Sequence, residues 1–386
     1  MGKMRRILSA VLLCAFSLSL LSCKGGKTGA GSLPVFDAAG AEFVVSIRYA
    51  EGFRLRYTEA GCLVDIQDPQ REEGQSFHYM LVRRGTVPAS VPDGYQVLEV
   101  PVEKLVCMTS LQLSNFICLG ELDRVAGITS TRHLFNSDMR ERLADGRTMK
   151  IGIEGNFDNE VILALDPDAI LISPFKRGGY EALKGVDVPL VPHLGYKEMT
   201  PLGQAEWIKF VGLICCEEEK AEEIFSGIEQ RYNGLKALAA DVAERPVVLS
   251  GELHGGNWYV GGGRSFLAQI FRDAGGEYFL PDDDNSGGLN LDFETVYSKT
   301  ANAGYWRIVN SYAGKFSYDA LKAEDARYAD LFAFQNKGVI YCNMREKPFY
   351  ENMPVQPDVV LSDLIHIFHP ELLPPDYSPV YYELMK

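Results

Sequence analysis

IGIEGNFDNEVILALDPDAILIS, residues 151–173, and GLNLDFETVYSKTANAGYWRIVNS, residues 288–311, are two versions of one phrase. Each has a polar, Gly-containing lead-in, then a glutamate (Glu160, Glu294), then a short helix-like stretch. Each ends in an apolar strand, Ala169–Ile172 in the first copy and Tyr305–Val309 in the second. One copy would fit many folds. A copy in each half predicts two similar α/β lobes, each presenting a carboxylate at a helix start, which suits a clamp better than a single-site enzyme.

The same alternation extends outward from both copies. Residues 103–216 read as strand VCMTS, amphipathic helix SLQLSNFICLGEL, strand VAGITS, helix EVILAL, strand AILIS, helix GYEALKG and strand PLVPH. Short apolar strands separated by helices imply a parallel sheet covered on both faces. Residues 217–245 place Ala221, Ile224, Phe225, Ile228, Tyr232 and Leu235 at helical spacing. A helix of that length spans about 40 Å and reads as an inter-lobe strut. Residues 246–386 restart with PVVLSGELHG and a helix SFLAQIFRDAGG that stops on Gly275-Gly276. Residues 35–102 carry short alternating runs such as FRLRYTE and YMLVRR, which read as an antiparallel β-rich extension of the first lobe. The fold class is therefore α/β: two βα lobes with mainly parallel sheets joined by one long helix, plus an N-terminal β-rich extension.

The first residues belong to targeting. Lys3, Arg5 and Arg6 precede an apolar run from Ile7 to Leu21, too short to span a bilayer as a mature helix. Residues 1–22 read as a signal peptide whose ending, Leu20-Leu21-Ser22-Cys23, resembles the lipobox of bacterial lipoproteins. Cys23 is then the lipidated residue that binds the membrane, and residues 23–34, rich in Gly, are a flexible tether. The expected location is the cell envelope. Of the eight cysteines, six remain after Cys14 and Cys23, with no CxxC or zinc-knuckle spacing. A bridge from Cys118 to one of the vicinal pair Cys215-Cys216 is the disulfide left open. The net charge of −14 argues against nucleic acid as a partner. The chain contains no G-x-S-x-G, H-E-x-x-H, P-loop or strand-borne G-x-G-x-x-G motif, so an enzyme is not expected. A surface scaffold lipoprotein is the other class, but it has no use for paired Glu160 and Glu294.

In this order the segments VCMTSLQLSNFICLGELDRVAGITS, NEVILALDPDAILIS, the long helix, NWYVGGGRSFLAQIFRDAGGEYF and LDFETVY resemble the cobalamin and iron-siderophore class of substrate-binding proteins of ABC importers, over about residues 103–370. The resemblance implies a monomer of two rigid lobes with a ligand cleft between them. It also implies docking on an ABC permease with its ATPase, with no resident cofactor. Glu160 and Glu294 match the family's acidic positions, one per lobe, and are implied to pair with permease arginines. A carboxylate at a helix N-terminus stays ionised, which is consistent with that role.

Ligands of open α/β sheets sit beyond the carboxyl ends of the strands. Residues just after strands are therefore cleft candidates: Thr109, Ser110, Arg132, His133, Phe175, Arg177, Tyr196, His254, Trp258, Tyr259 and Arg345. Arg132, Arg177 and Arg345 suit an anionic ferric siderophore, and Trp258 and Tyr259 suit stacking on a flat ligand. His133, His193 and His254 are imidazoles at strand ends that could reach haem iron, although spacing cannot place them in one coordination sphere, and no resident metal site is assigned. The expected cargo is a small metal chelate, a ferric siderophore or haem. Cobalamin is the alternative, weakened because only Phe175 is aromatic where cobalamin binders carry tryptophans.

Overall fold

The computed structural model describes residues 44–71, 75–129, 131, 133–153, 156–174, 180, 183 and 185–386. The chain opens with four strands, β1 (Phe53–Thr58), β2 (Gly61–Ile66), β3 (Phe77–Arg83) and β4 (Gln96–Val100). They form their own sheet in the order β1-β2-β3-β4. The first three pair antiparallel, but β4 runs parallel to β3. This corrects the expected antiparallel edge. The connection over residues 84–95, with Pro88 and Pro92, carries the chain back to the start of β3, so β4 runs alongside it in the same direction.

The first lobe follows as β5 (Leu105–Cys107), α1 (Ser110–Leu119), β6 (Val125–Ile128), α2 (Ser137–Asp145), β7 (Met149–Lys150), β8 (Gly152–Ile153), β9 (Asn156–Phe157), α3 (Asn159–Leu165), β10 (Ala169–Ile172) and β11 (Leu190–Pro192). Its sheet has the order β11-β10-β5-β6-β7, and all four pairings are parallel. Every residue of β5, β6 and β10 is buried, as expected of strands covered on both faces.

Within 217–245 the helix is α5 (Glu218–Leu238), shorter than expected, and a separate helix, α4 (Pro201–Cys215), precedes it. Cys216, with φ of 60°, takes the left-handed conformation that ends α4. α5 stops at Leu238, and in the turn that follows Arg245 donates to the carbonyls of Ala240 and Arg272. All of α4 is buried. α5 buries the stripe Ala221, Phe225, Ile228 and Tyr232. It joins the lobes: near its start Lys220 donates to Leu119 O of α1, and near its end Tyr232 donates to Asp273 of the second lobe.

The second lobe contains β12 (Val247–Ser250), β13 (Glu252–His254), β14 (Asn257–Gly261), α6 (Phe266–Asp273), β15 (Glu277–Tyr278), β16 (Gly288–Leu291), α7 (Phe293–Lys299), β17 (Tyr305–Asn310), α8 (Tyr318–Glu324), α9 (Phe332–Gln335), β18 (Val339–Asn343), α10 (Phe349–Asn352), α11 (Pro357–Phe368) and β19 (Glu383–Leu384). The main sheet is β15-β12-β17-β18-β19, parallel except for β19. A smaller antiparallel sheet, β13-β14-β16, lies beside it.

The repeated phrase is one supersecondary unit used twice, β9–α3–β10 and β16–α7–β17. In both copies an aspartate caps the helix: Asp158 accepts from Val161 N and Asp292 from Thr295 N. Glu160 and Glu294 each fall on the second helical residue, and both are exposed. The six cysteines from Cys62 to Cys342 are free thiols, so the bridge to Cys118 does not form.

Candidate functional site

Three parts of the chain converge on a cavity of about 580 Å³. The first lobe contributes Pro174, Leu194 and Tyr196–Glu198 from the ends of β10 and β11. The second contributes Tyr259, Gly261, Ser265–Leu267 and Ser286–Gly288. The N-terminal extension adds Asp68, Gln70, Arg71, Gln75 and Phe77.

Local chemistry fixes these walls. In the first lobe Gln112 of α1 is fully buried, accepts from Met108 N and donates to Ser173 Oγ at 3.0 Å, tying the ends of β5 and β10 together. In the second lobe Tyr259 lies across β16, where a Cβ on Gly288 would come within 2.2 Å of its hydroxyl. Only glycine at 288 lets the ring lie there, and the ring is left 55% exposed in the cavity.

The sequence candidates separate into groups. Tyr196 and Tyr259 meet at this cavity from opposite lobes. His133 and Arg345 meet elsewhere between the lobes. His133 Nδ1 lies 3.2 Å from Met344 O and its Nε2 3.3 Å from Ser311 Oγ, while Arg345 Nε donates to Ser311 O at 2.8 Å. Close by, Glu351 of α10 accepts from the backbone N–H groups of Phe135 and Asn136. Thr109 and Ser110 are half-buried at the start of α1, and the Thr109 hydroxyl is buried without a hydrogen-bond partner.

One candidate, Trp258, is corrected, and another, His254, stands away from this cavity. Trp258 does not face the cleft. It is 0% exposed, donates to Ser250 O, and packs against Trp306 and Tyr328 with ring centroids 5.5 and 5.7 Å away. The strand period is the reason: β14 turns Trp258 inward and Tyr259 outward. His254 is exposed beside the Gly255-Gly256 turn and is not among the residues lining this cavity. Arg132, Phe175, Arg177 and Cys23 lie outside the described residues.

Burial sets the charge states around the cleft. His193 is pushed down to about 4 and stays neutral, with its ring beside Asn115 Nδ2. Glu252, behind the ends of β17 and β18, is pushed up to about 7 by burial, only partly offset by Asn310 Nδ2 donating to it at 3.0 Å. Among the described residues no group of three His, Cys, Asp or Glu side chains is placed to hold a metal ion. Asp68, Gln70, Arg71 and Lys197 line this cavity and were not among the sequence candidates. The signal for the first three was the polar stretch QDPQREEGQ between two strands, the kind of loop that often carries function, and Lys197 lies outside it.

Known proteins fit this architecture. Residues 105–345 match the family model described as periplasmic binding protein. An uncharacterized lipoprotein of Methanocaldococcus jannaschii is 24% identical over 294 residues, covering 72% of this chain and 68% of the relative. A periplasmic heme-binding protein from Pseudomonas aeruginosa superposes with a TM-score of 0.56 at 18% identity, covering 74% of this chain and 98% of that one. A protein titled as an ABC-type Fe3+-hydroxamate transport system from Saccharomonospora viridis superposes with a TM-score of 0.53 at 19% identity, covering 70% and 94%. With the family match spanning both lobes and the helices that join them, this chain belongs to the periplasmic binding protein family: it is a substrate-binding protein of the class that works with ABC transporters, not an enzyme.

Proposed function

We propose that this chain is a lipid-anchored binding protein that captures an iron complex, a ferric siderophore or haem, in the cleft between its lobes and delivers it to an ABC importer. The observation that carries this reading is the inter-lobe cavity lined by Tyr196 of the first lobe and Tyr259 of the second. Its volume of about 580 Å³ falls in the range of small-molecule sites, roughly 300–1,000 Å³. Phenol rings from both lobes suit a flat or ring-rich chelate. Similarity to a heme-binding protein and to an Fe3+-hydroxamate transport protein supports the same cargo class. Cobalamin is the bulkier alternative and suits that volume less well.

The test is a titration panel of haemin, ferric hydroxamates, ferric catecholates and cyanocobalamin, read by fluorescence and absorbance. At least one iron complex is expected to bind with a Kd of about 1 μM or tighter, about −8 kcal/mol. Binding of cyanocobalamin alone would replace the iron reading, and no binding across the panel would end it.

Anchoring through Cys23 rests on the lipobox-like Leu20-Leu21-Ser22-Cys23 and on lipoprotein-named relatives. Cys23→Ser is expected to move the protein from the membrane fraction to the soluble fraction. Retention in the membrane fraction would refute the anchor. Docking on the permease through Glu160 and Glu294 belongs to the same reading and is taken up in the Discussion.

A further inference from the structure

Residues 44–100 precede the stretch that matches the family, 105–345, yet they wall the ligand cavity. Their contribution comes from the turn after β2. Asp68 accepts from Gln70 N at 3.1 Å and its carbonyl accepts from Arg71 N at 3.1 Å, which closes the turn. The turn is clamped to the first lobe twice: Lys197 Nζ pairs with Asp68, and Gln70 Nε2 donates to Lys197 O at 3.0 Å. It also reaches the second lobe, since a Cβ placed on Gly287 would stand 3.6 Å from Gln70 Oε1.

Four charged side chains line the cavity: Asp68, Arg71, Lys197 and Glu198. Glu198 is 2% exposed and taken up by three donors, the backbone N–H groups of Glu51 and Gly52 and the indole of Trp207. Asp68 and Lys197 offset each other and are both largely buried, at 14% and 16% side-chain exposure. Arg71 is left. Its side chain is 70% exposed, and its ion-pair partner among the described residues is Asp68, at 3.8 Å and already held by Lys197. The four formal charges balance, but among them Arg71 alone holds its charged end mostly exposed at the cavity wall. An arginine fork matches a carboxylate through two parallel hydrogen bonds.

Resting on the ligand cleft proposed above, we propose that Arg71, presented by the extension, is the anion contact of this site, so that the protein prefers a small ligand bearing a carboxylate. The ligand's apolar body lies between Tyr196 and Tyr259 and its acid group at Arg71. The extension thus sets specificity from outside the family's two-lobe unit.

The test compares the full mature chain with Arg71→Ala and Arg71→Lys. Each is titrated with haemin, which carries two propionates, and with a neutral ferric trihydroxamate, and thermal unfolding checks that the variants fold. Arg71→Ala is expected to weaken haemin at least tenfold and change the neutral probe less than twofold. Arg71→Lys is expected to restore part of the haemin affinity. Haemin affinity unchanged in Arg71→Ala, or equal loss for both probes, overturns the proposal and leaves the iron-binding reading standing. Wild type that binds only the neutral probe also overturns the anion preference alone. Wild type that binds neither probe removes the site assignment for iron complexes and this proposal with it.

Discussion

Lys209→Ala is expected to lower the free energy of unfolding by about 3–5 kcal/mol, the usual cost of removing one partner from a buried ion pair. Lys209 and Glu206 sit one turn apart on α4, and both side chains are 0% exposed. The Lys209 ammonium donates to Glu206 at 3.0 Å and to Ser46 O at 2.8 Å, and pairs with Glu222 at 2.8 Å. It also lies 4.5 Å from the centroid of the Phe225 ring on α5. Glu206 in turn accepts from the backbone N–H groups of Arg48, Tyr49 and Ala50, at 2.6–3.0 Å. The pair therefore ties the segment ahead of β1 to the helices that join the lobes. Truncating Lys209 leaves Glu206 charged in the core and Ser46 O without its donor. Chemical denaturation measures the loss, and proteolysis is expected to find new cleavage near residues 44–52. The double variant Lys209→Met with Glu206→Gln should recover much of the stability, because no charge is left unpaired at 206 and the carboxamide oxygen still accepts from Tyr49 N and Ala50 N. A loss under about 1 kcal/mol in the single variant would mean that Glu206 is held by backbone alone.

Charge reversal at both Glu160 and Glu294 is expected to reduce uptake to background while ligand affinity stays within twofold. Both glutamates are exposed on the second residue of an aspartate-capped helix, in the two copies of one supersecondary unit. Glu294 is 79% exposed, and its nearest cation, Arg327, stands 4.0 Å away and is itself paired with Asp325 at 2.7 Å. Each glutamate has an exposed apolar side chain three residues on, Leu163 at 59% and Tyr297 at 49%. Residues i and i+3 share a helix face, so each lobe presents an acid beside an apolar contact. That pattern suits a permease surface with arginines near an apolar patch. Like charges across such an interface cost several kcal/mol, enough to abolish productive docking. Each single reversal is expected to give an intermediate loss. A change in ligand affinity instead would place these glutamates in the binding site, and unchanged uptake would end the docking role.

Much of the fold was legible because its signals are local. The helix starts after Asp158 and Asp292 need only a side-chain oxygen two or three residues ahead of an N–H. The strand Ala169–Ile172 is a continuous apolar run, and the structure gives it the same limits. The buried stripe of α5 follows from spacing alone. Legibility faded where two faces of one element compete. Trp258 and Tyr259 are adjacent aromatics on a strand, so alternation requires that one point inward. Which one does so depends on where β14 meets Trp306 and Tyr328, far along the chain. The end of α5 at Leu238, short of the expected 245, was harder to read, since no glycine or proline marks that position.

By itself, then, the sequence determined two α/β lobes, the helical connection between them and a paired set of exposed carboxylates, because caps, periods and apolar runs act over a few residues. Only the tertiary structure decided the ligand cavity. Tyr196 and Tyr259 face it from lobes joined by the α4–α5 pair, and Gln70 and Arg71 reach it from a strand connection more than a hundred residues before Lys197, which clamps them there. Contacts that distant in the chain depend on how lobes and extension pack, and no local pattern encodes which side of a polar loop will meet a cleft.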